Sequence, residues 1–165
     1  MLTRVMLEHD VVHDDEDLRI VTWSGVVGAR WRCTPTKPKL ELLGRHQRML
    51  AESTFEGRIV ALTVVSPGAT LILGGDARTE AEAMAHAGRG FLMGLAQVVE
   101  GQGFAAATAR AVLSGIQLAT RAGYPTKVFG SLDEATQWVA ELLRKAGYER
   151  DASEVAVALA KALAV

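Results

Sequence analysis

The sequence predicts an α/β fold: a mixed, mostly parallel sheet of four to five strands, with an N-terminal antiparallel hairpin and helices packed on the sheet. Three observations carry this reading. Two segments rich in β-branched residues open the chain on either side of a polar turn. Two nearly continuous apolar runs follow, Arg58–Val65 and Leu92–Val99, of the kind buried on both faces of a parallel sheet. Stretches with helical spacing alternate with these runs, and right-handed crossovers follow from that alternation.

The hairpin consists of Arg4–Val12 and Leu18–Val27, with His13-Asp14-Asp15-Glu16-Asp17 as its turn. Pro35 and Pro38 then break the chain. Pro38 suits the first turn of a helix, where a missing N–H costs nothing; Leu42, Leu43, Met49 and Leu50 continue that helix to about Glu52. Ser66-Pro67-Gly68 ends the strand Arg58–Val65. Asp76 caps a helix that carries Ala77, Ala81, Met84, Gly88 and Phe91 on one face. After Leu92–Val99, Gly101 and Gly103 turn the chain into a helix over Phe104–Arg121. Thr126–Phe129 is a short last strand. Ser131 and Glu134 form a capping box for a helix that ends near Ala146 and is stopped by Gly147. Asp151 and Glu154 open a final helix in the same way. There is no internal repeat and no dividing linker, and 165 residues can bury a core as one domain.

Composition excludes several classes. Eighteen basic and 19 acidic residues leave a net charge of −1, without the basic excess that a nucleic-acid binder uses to neutralise phosphates. Cys33 is the single cysteine, so no intrachain disulfide forms and a secreted disulfide scaffold is ruled out. The opening MLTRVMLEHD meets charge too soon for a signal peptide. No apolar run reaches the ~20 residues of a membrane-spanning helix. The expected address is the cytoplasm.

The segment Lys127-Val128-Phe129-Gly130-Ser131-Leu132-Asp133-Glu134-Ala135, continuing to Trp138, resembles the last strand–helix unit of the STAS domain, the fold of anti-sigma-factor antagonists, and of its bacterial STAS/SEC14-like relatives. In that unit a Phe ends the strand, and an acidic-Ala pair opens a helix that carries a Trp or Leu. The unit from Gly94 to Arg121 is similar as well. The resemblance covers residues 4 to 146 by element order and makes 151–165 a C-terminal helical extension. It implies a protein-interaction module rather than an enzyme. The chain departs from the family after the third strand. There the antagonists carry an Asp-Ser-Ser/Thr-Gly type segment, whereas this chain reads Ser66-Pro67-Gly68-Ala69-Thr70, so no phosphorylation site is carried over.

Several residues invite chemical readings. Gly101-Gln102-Gly103-Phe104-Ala105-Ala106 fits G-x-G-x-x-A between a strand and a helix, where backbone N–H groups could cradle a phosphate. The dinucleotide-binding version belongs at the first strand–helix turn, with a carboxylate ~20 residues on. Here the motif is late and the next strand ends without that carboxylate, so a tight glycine turn explains it better and no nicotinamide cofactor is expected. His9 and His13 share a strand face but lie ~13 Å apart at the strand rise. Zinc ligands must converge within ~2 Å of the metal, so a solvated turn is expected and no metal. His46 lies beside an apolar face without a partner marked by any motif, and His86 falls on a polar face. Cys33 precedes a helix N-terminus, where a thiolate is favoured, but no Cys-His motif accompanies it. Neither Ser66 nor Ser114 sits in a G-x-S-x-G elbow.

Two helical faces offer docking surfaces. Ala107, Ala111, Gly115 and Leu118 form a face of mostly small residues, suited either to a neighbouring helix of the same domain or to a partner protein. The final helix is apolar nearly all round, with Val155, Leu159 and Leu163 in one stripe. Such a helix is buried, either on its own sheet or against a second subunit. The second alternative makes Leu159 and Leu163 the contact of a homodimer. The expected function is a non-enzymatic regulatory or scaffolding module that acts through protein contact. The alternative is a binding domain for a small apolar or phosphorylated ligand, with Ser66, Gly101 and Gly103 as contact residues. An enzyme of unknown type ranks third.

Overall fold

The β-branched start of the chain folds into three strands, not two. β1 (Asp10–Asp14), β2 (Leu18–Trp23) and β3 (Val26–Trp31) form an antiparallel meander. The expected strand Leu18–Val27 is broken at Ser24-Gly25, where Ser24 adopts φ +51°. Ser-Gly is a turn dipeptide, but the flanking Trp23 and Val26 mask it by continuing the strand-like composition. Gly25 is needed there for a second reason. A Cβ on it would meet the Tyr148 ring at 2.3 Å, and the Tyr148 hydroxyl donates to the Arg58 carbonyl at 3.0 Å. The computed structural model describes residues 8–54, 56–69, 73–103, 106, 107, 109–111 and 123–164. The expected strand residues 4–7, most of the expected helix Phe104–Arg121 and the last residue, Val165, lie outside them.

After the meander the chain alternates. α1 (Lys37–Ser53) leads to β4 (Ile59–Val65), and α2 (Gly75–Gly88) leads to β5 (Leu92–Val99). β6 (Thr126–Phe129) is followed by α3 (Leu132–Lys145) and α4 (Ala152–Ala162). β3, β4, β5 and β6 run parallel, and the six strands of the described residues lie side by side in chain order, one strand more than the upper expectation. The mixed α/β class stands. β4 is buried on both faces except at Thr63, whereas β5 alternates buried with half-buried residues. β3 is buried at every position, and the expected strand Leu18–Val27 takes in only its first two residues.

Alternate strand residues feed two cores, as the pleat requires. Ile59 and Ala61 join Leu18, Ile20, Val27, Ala29 and Trp31 beneath α1 and α2. Val60, Leu62 and Val64 join Val21, Trp23, Val26, Ala96 and Val98 beneath α3 and α4. The caps behave locally as expected. The Ser131 hydroxyl accepts from the Glu134 N–H, and Asp151 accepts from the Glu154 N–H at 2.8 Å. Gly147, at φ +92°, ends α3, with its N–H on the Arg144 carbonyl and the Tyr148 N–H on the Leu143 carbonyl. At α2 the cap is Gly74 rather than Asp76; Asp76 sits one residue inside the helix and accepts from the Ala77 N–H.

The β1 edge of the sheet is blunted. The pairing register shifts between Val11 and His13, and Asp10 and Asp14 close the strand, a bulge and charges that discourage edge-to-edge pairing. Among the described residues no helix is long and apolar enough to cross a membrane.

Candidate functional site

Because β3 to β6 are parallel, their carboxyl ends share one edge of the sheet, the end at which open α/β sheets bind ligands. The β1–β2 turn, Cys33, Ser66, Glu100, Gly101, Gly103 and Gly130 all lie in the connections at this edge. Two of the connections are joined by Arg30 of β3, a residue the sequence reading passed over. Arg30 is 2% exposed. Its Nε donates to the Leu163 carbonyl at 2.6 Å, and Nη1 donates to the Ser66 hydroxyl at 3.0 Å and to Glu100 Oε1 at 2.5 Å. Nη2 reaches Glu100 Oε2 at 3.4 Å. The available signal was an arginine next to the small and apolar residues Gly28, Ala29 and Trp31, since a buried charge demands partners.

The same face of the meander receives the last helix. Val26, Gly28 and Arg30 alternate toward it. A Cβ on Gly28 would stand 3.2 Å from Leu163 Cδ1, so glycine admits that side chain. Arg19 of β2 donates from Nε to the Ala162 carbonyl at 2.8 Å. Two arginines thus satisfy carbonyls at the end of α4 that have no intrahelical partner. Leu159 and Leu163 are fully buried within their own domain. The sheet and α3 cover that stripe, the first of the two burials expected for it.

The other charges at the edge also have partners. Asp14 accepts from Arg32 at 2.7 Å and from Arg19 at 2.8 Å, and the Arg32 contact, more than the Arg19 one, holds its carboxyl below the usual range. Asp15 binds Lys39 Nζ, lies 2.8 Å from His13 Nε2, and accepts the N–H groups of Asp17 and Leu18. The Lys39 ammonium, followed by the backbone donors, holds the Asp15 carboxyl far below its ordinary value. Cys33 is exposed, and its thiol is pushed up by its hydrogen bond to Asp17, then by partial desolvation and the Asp17, Glu16 and Asp15 charges. The expected bias toward thiolate is thus reversed, because the acidic turn outweighs the helix terminus.

The Asp15 arrangement has a pH signature. A carboxyl whose folded pKa lies below its unfolded value contributes stability above the unfolded value and loses it as pH falls through the folded one. Denaturant midpoints measured from pH 6 downward should therefore decline below about pH 4. Asp15→Asn should start lower and decline less steeply. Equal acid limbs in the two proteins would show that Asp15 carries none of the loss.

The histidines do not assemble a site. His13 is engaged by Asp15, His46 is half-buried and His86 is exposed. Burial, then Arg45 and His13, lowers the pKa of His46. Burial, then Arg19 and Lys161, lowers that of His9, and the His9 Nδ1 is buried without a hydrogen-bond partner. Among the described residues no group of His, Cys, Asp and Glu is placed to hold a metal ion.

Gly101 and Gly103 have φ of +111° and +93°, the left-handed backbone of a tight glycine turn, and both are exposed. Arg110 Nη2 donates to the Gly101 carbonyl at 2.8 Å, while its Nε is buried without a hydrogen-bond partner. Ser66, Gly101 and Gly103 share an edge, but the Ser66 hydroxyl is taken up by Arg30. On the small-residue face, Ala107 and Ala111 are exposed; Gly115 and Leu118, like Ser114, lie outside the described residues. No family model, curated protein or solved structure matches the chain.

Proposed function

We propose that this chain is a non-enzymatic regulatory or scaffolding module that works through protein contact, as its STAS-like element order implies, with a cytoplasmic address. One observation carries the reading. The charged groups at the carboxyl edge satisfy one another: Arg30 with Glu100, Asp14 with Arg19 and Arg32, Asp15 with Lys39. A catalytic edge instead keeps groups poised toward a substrate. The strand order supports the same view. Consecutive strands are neighbours throughout, so the described sheet has no reversal of order, the place where doubly wound sheets form their ligand crevice. Exposed Ala107 and Ala111 offer a surface that another backbone can approach closely.

The chain, used as bait in extract of its native host, should retain a protein in stoichiometric amount. Ala111→Arg should lose that protein without a change in melting temperature. Failure to retain any protein, or retention unaffected by Ala111→Arg, counts against this surface. A second reading, a binding domain for a small apolar or phosphorylated ligand, is favoured by the Arg110 Nε beside the Gly101–Gly103 turn. Mass spectrometry of the denatured protein distinguishes the two, since a stoichiometric small molecule supports the second.

A further inference from the structure

We propose that the docking of α4 and the conformation of the loops after β4 and β5 are coupled through Arg30, so that drawing Glu100 away from this guanidinium loosens the end of the helix. The proposal goes beyond the protein-contact reading and does not depend on it. One buried side chain holds three separate segments of the chain. Its Nε holds the Leu163 carbonyl at the end of α4, while Nη1 and Nη2 hold Ser66 after β4 and Glu100 after β5. The guanidinium is planar and rigid, so its donors cannot be re-aimed independently. A rotation that follows Glu100 carries Nε off Leu163.

The two ends of this linkage differ in exposure. The Arg30 side chain is 3% exposed and that of Glu100 is 31% exposed, next to the exposed residues Gly101–Gly103. Glu100 is therefore the part that a cationic group from outside can reach. At the other end, α4 has only 11 residues, too few to hold helical structure without docking. Its terminal carbonyls depend on Arg19 and Arg30. Arg19 ties the helix end to Asp14 at the β1–β2 turn, whereas Arg30 ties it to the loops after β4 and β5. Coupling of this kind is reciprocal: whatever undocks α4 also frees the loops.

Amide hydrogen exchange on the full chain tests both directions. The Leu163 N–H bonds the Leu159 carbonyl at 2.9 Å and reports the helix end; the Glu100 N–H bonds the Val65 carbonyl at 3.3 Å and reports the loop. The amides of Val60 to Val64 in β4 report global opening and serve as the reference. Glu100→Gln should speed Leu163 exchange by about fivefold to tenfold relative to that reference, the scale of replacing a charge-assisted hydrogen bond by a neutral one. The same change in an Arg30→Lys background should have under about twofold effect, because the shared part is gone. An unchanged Leu163 amide, or an equal acceleration in both backgrounds, overturns the coupling. The reciprocal measurement needs no change at Arg30. Leu163→Ala should speed exchange at Glu100 relative to β4, and an unmoved Glu100 amide overturns the proposal even if Arg30→Lys fails to fold.

Discussion

Leu159→Ala should destabilise the fold by about 2–5 kcal/mol, the range for emptying a fully buried leucine site. Leu159 is wholly buried in the cluster formed by α3, α4 and the sheet, together with Val155, Ala158, Ala162 and Leu163. For a domain of this size each kcal/mol shifts the melting temperature by roughly 2–4 °C, so a fall on the order of 10 °C is expected. Replacing Leu159 and Leu163 together by aspartate should undock α4 altogether, because two carboxylates cannot be buried without partners. Thermal melts by circular dichroism and light scattering make the check. The expected result is a lower melting temperature with the mass in solution the same for wild type and Leu159→Ala. A folded variant of half the mass that keeps the wild-type melting temperature would show that the stripe faces a second copy.

Arg30→Met should destabilise by about 3–5 kcal/mol, since one partner of a buried pair is removed and the others remain. The Leu163 carbonyl would lose its donor, and Glu100 and Ser66 would lose the group that holds them. Arg30→Lys should restore little, because a single ammonium cannot reach three acceptors spread around a planar fork. Glu100→Gln should cost far less, about 1–2 kcal/mol, as its carboxylate is partly solvated and its amide still accepts a hydrogen bond. Urea titration of the three variants measures this order. If Arg30→Met matches wild type, apolar volume alone suffices at that position and the hydrogen bonds contribute no net stability.

Much of the fold was legible because its determinants are local. The strand Thr126–Phe129, the Ser131 and Asp151 caps and the Gly147 stop depend on residues within about five positions, and the sequence displays all of those residues. The buried strands β4 and β5 were legible from apolar runs too short for a helix. The turn at Ser24-Gly25 was missed because composition smooths over two residues, and the ring that requires glycine there comes from Tyr148, more than a hundred positions away. The cap at Gly74 was missed because Asp76, two residues later, has the more familiar capping side chain.

The candidate site was less legible. Ser66, Gly101 and Gly103 follow strands that the sequence displays, but Arg30, which joins their connections at the carboxyl edge, is not marked by any local pattern. Its partners come from three other segments, the farthest 133 positions along the chain, and no spacing rule spans such distances. The fate of α4 is the same kind of question. An apolar stripe at Val155, Leu159 and Leu163 dictates that the helix must be buried, because water penalises exposed apolar surface wherever it lies in the chain. It does not dictate against what. The hydrophobic effect is non-directional, so only the folded meander decided the partner, through the gap at Gly28 and the two arginines that take up the helix's last carbonyls.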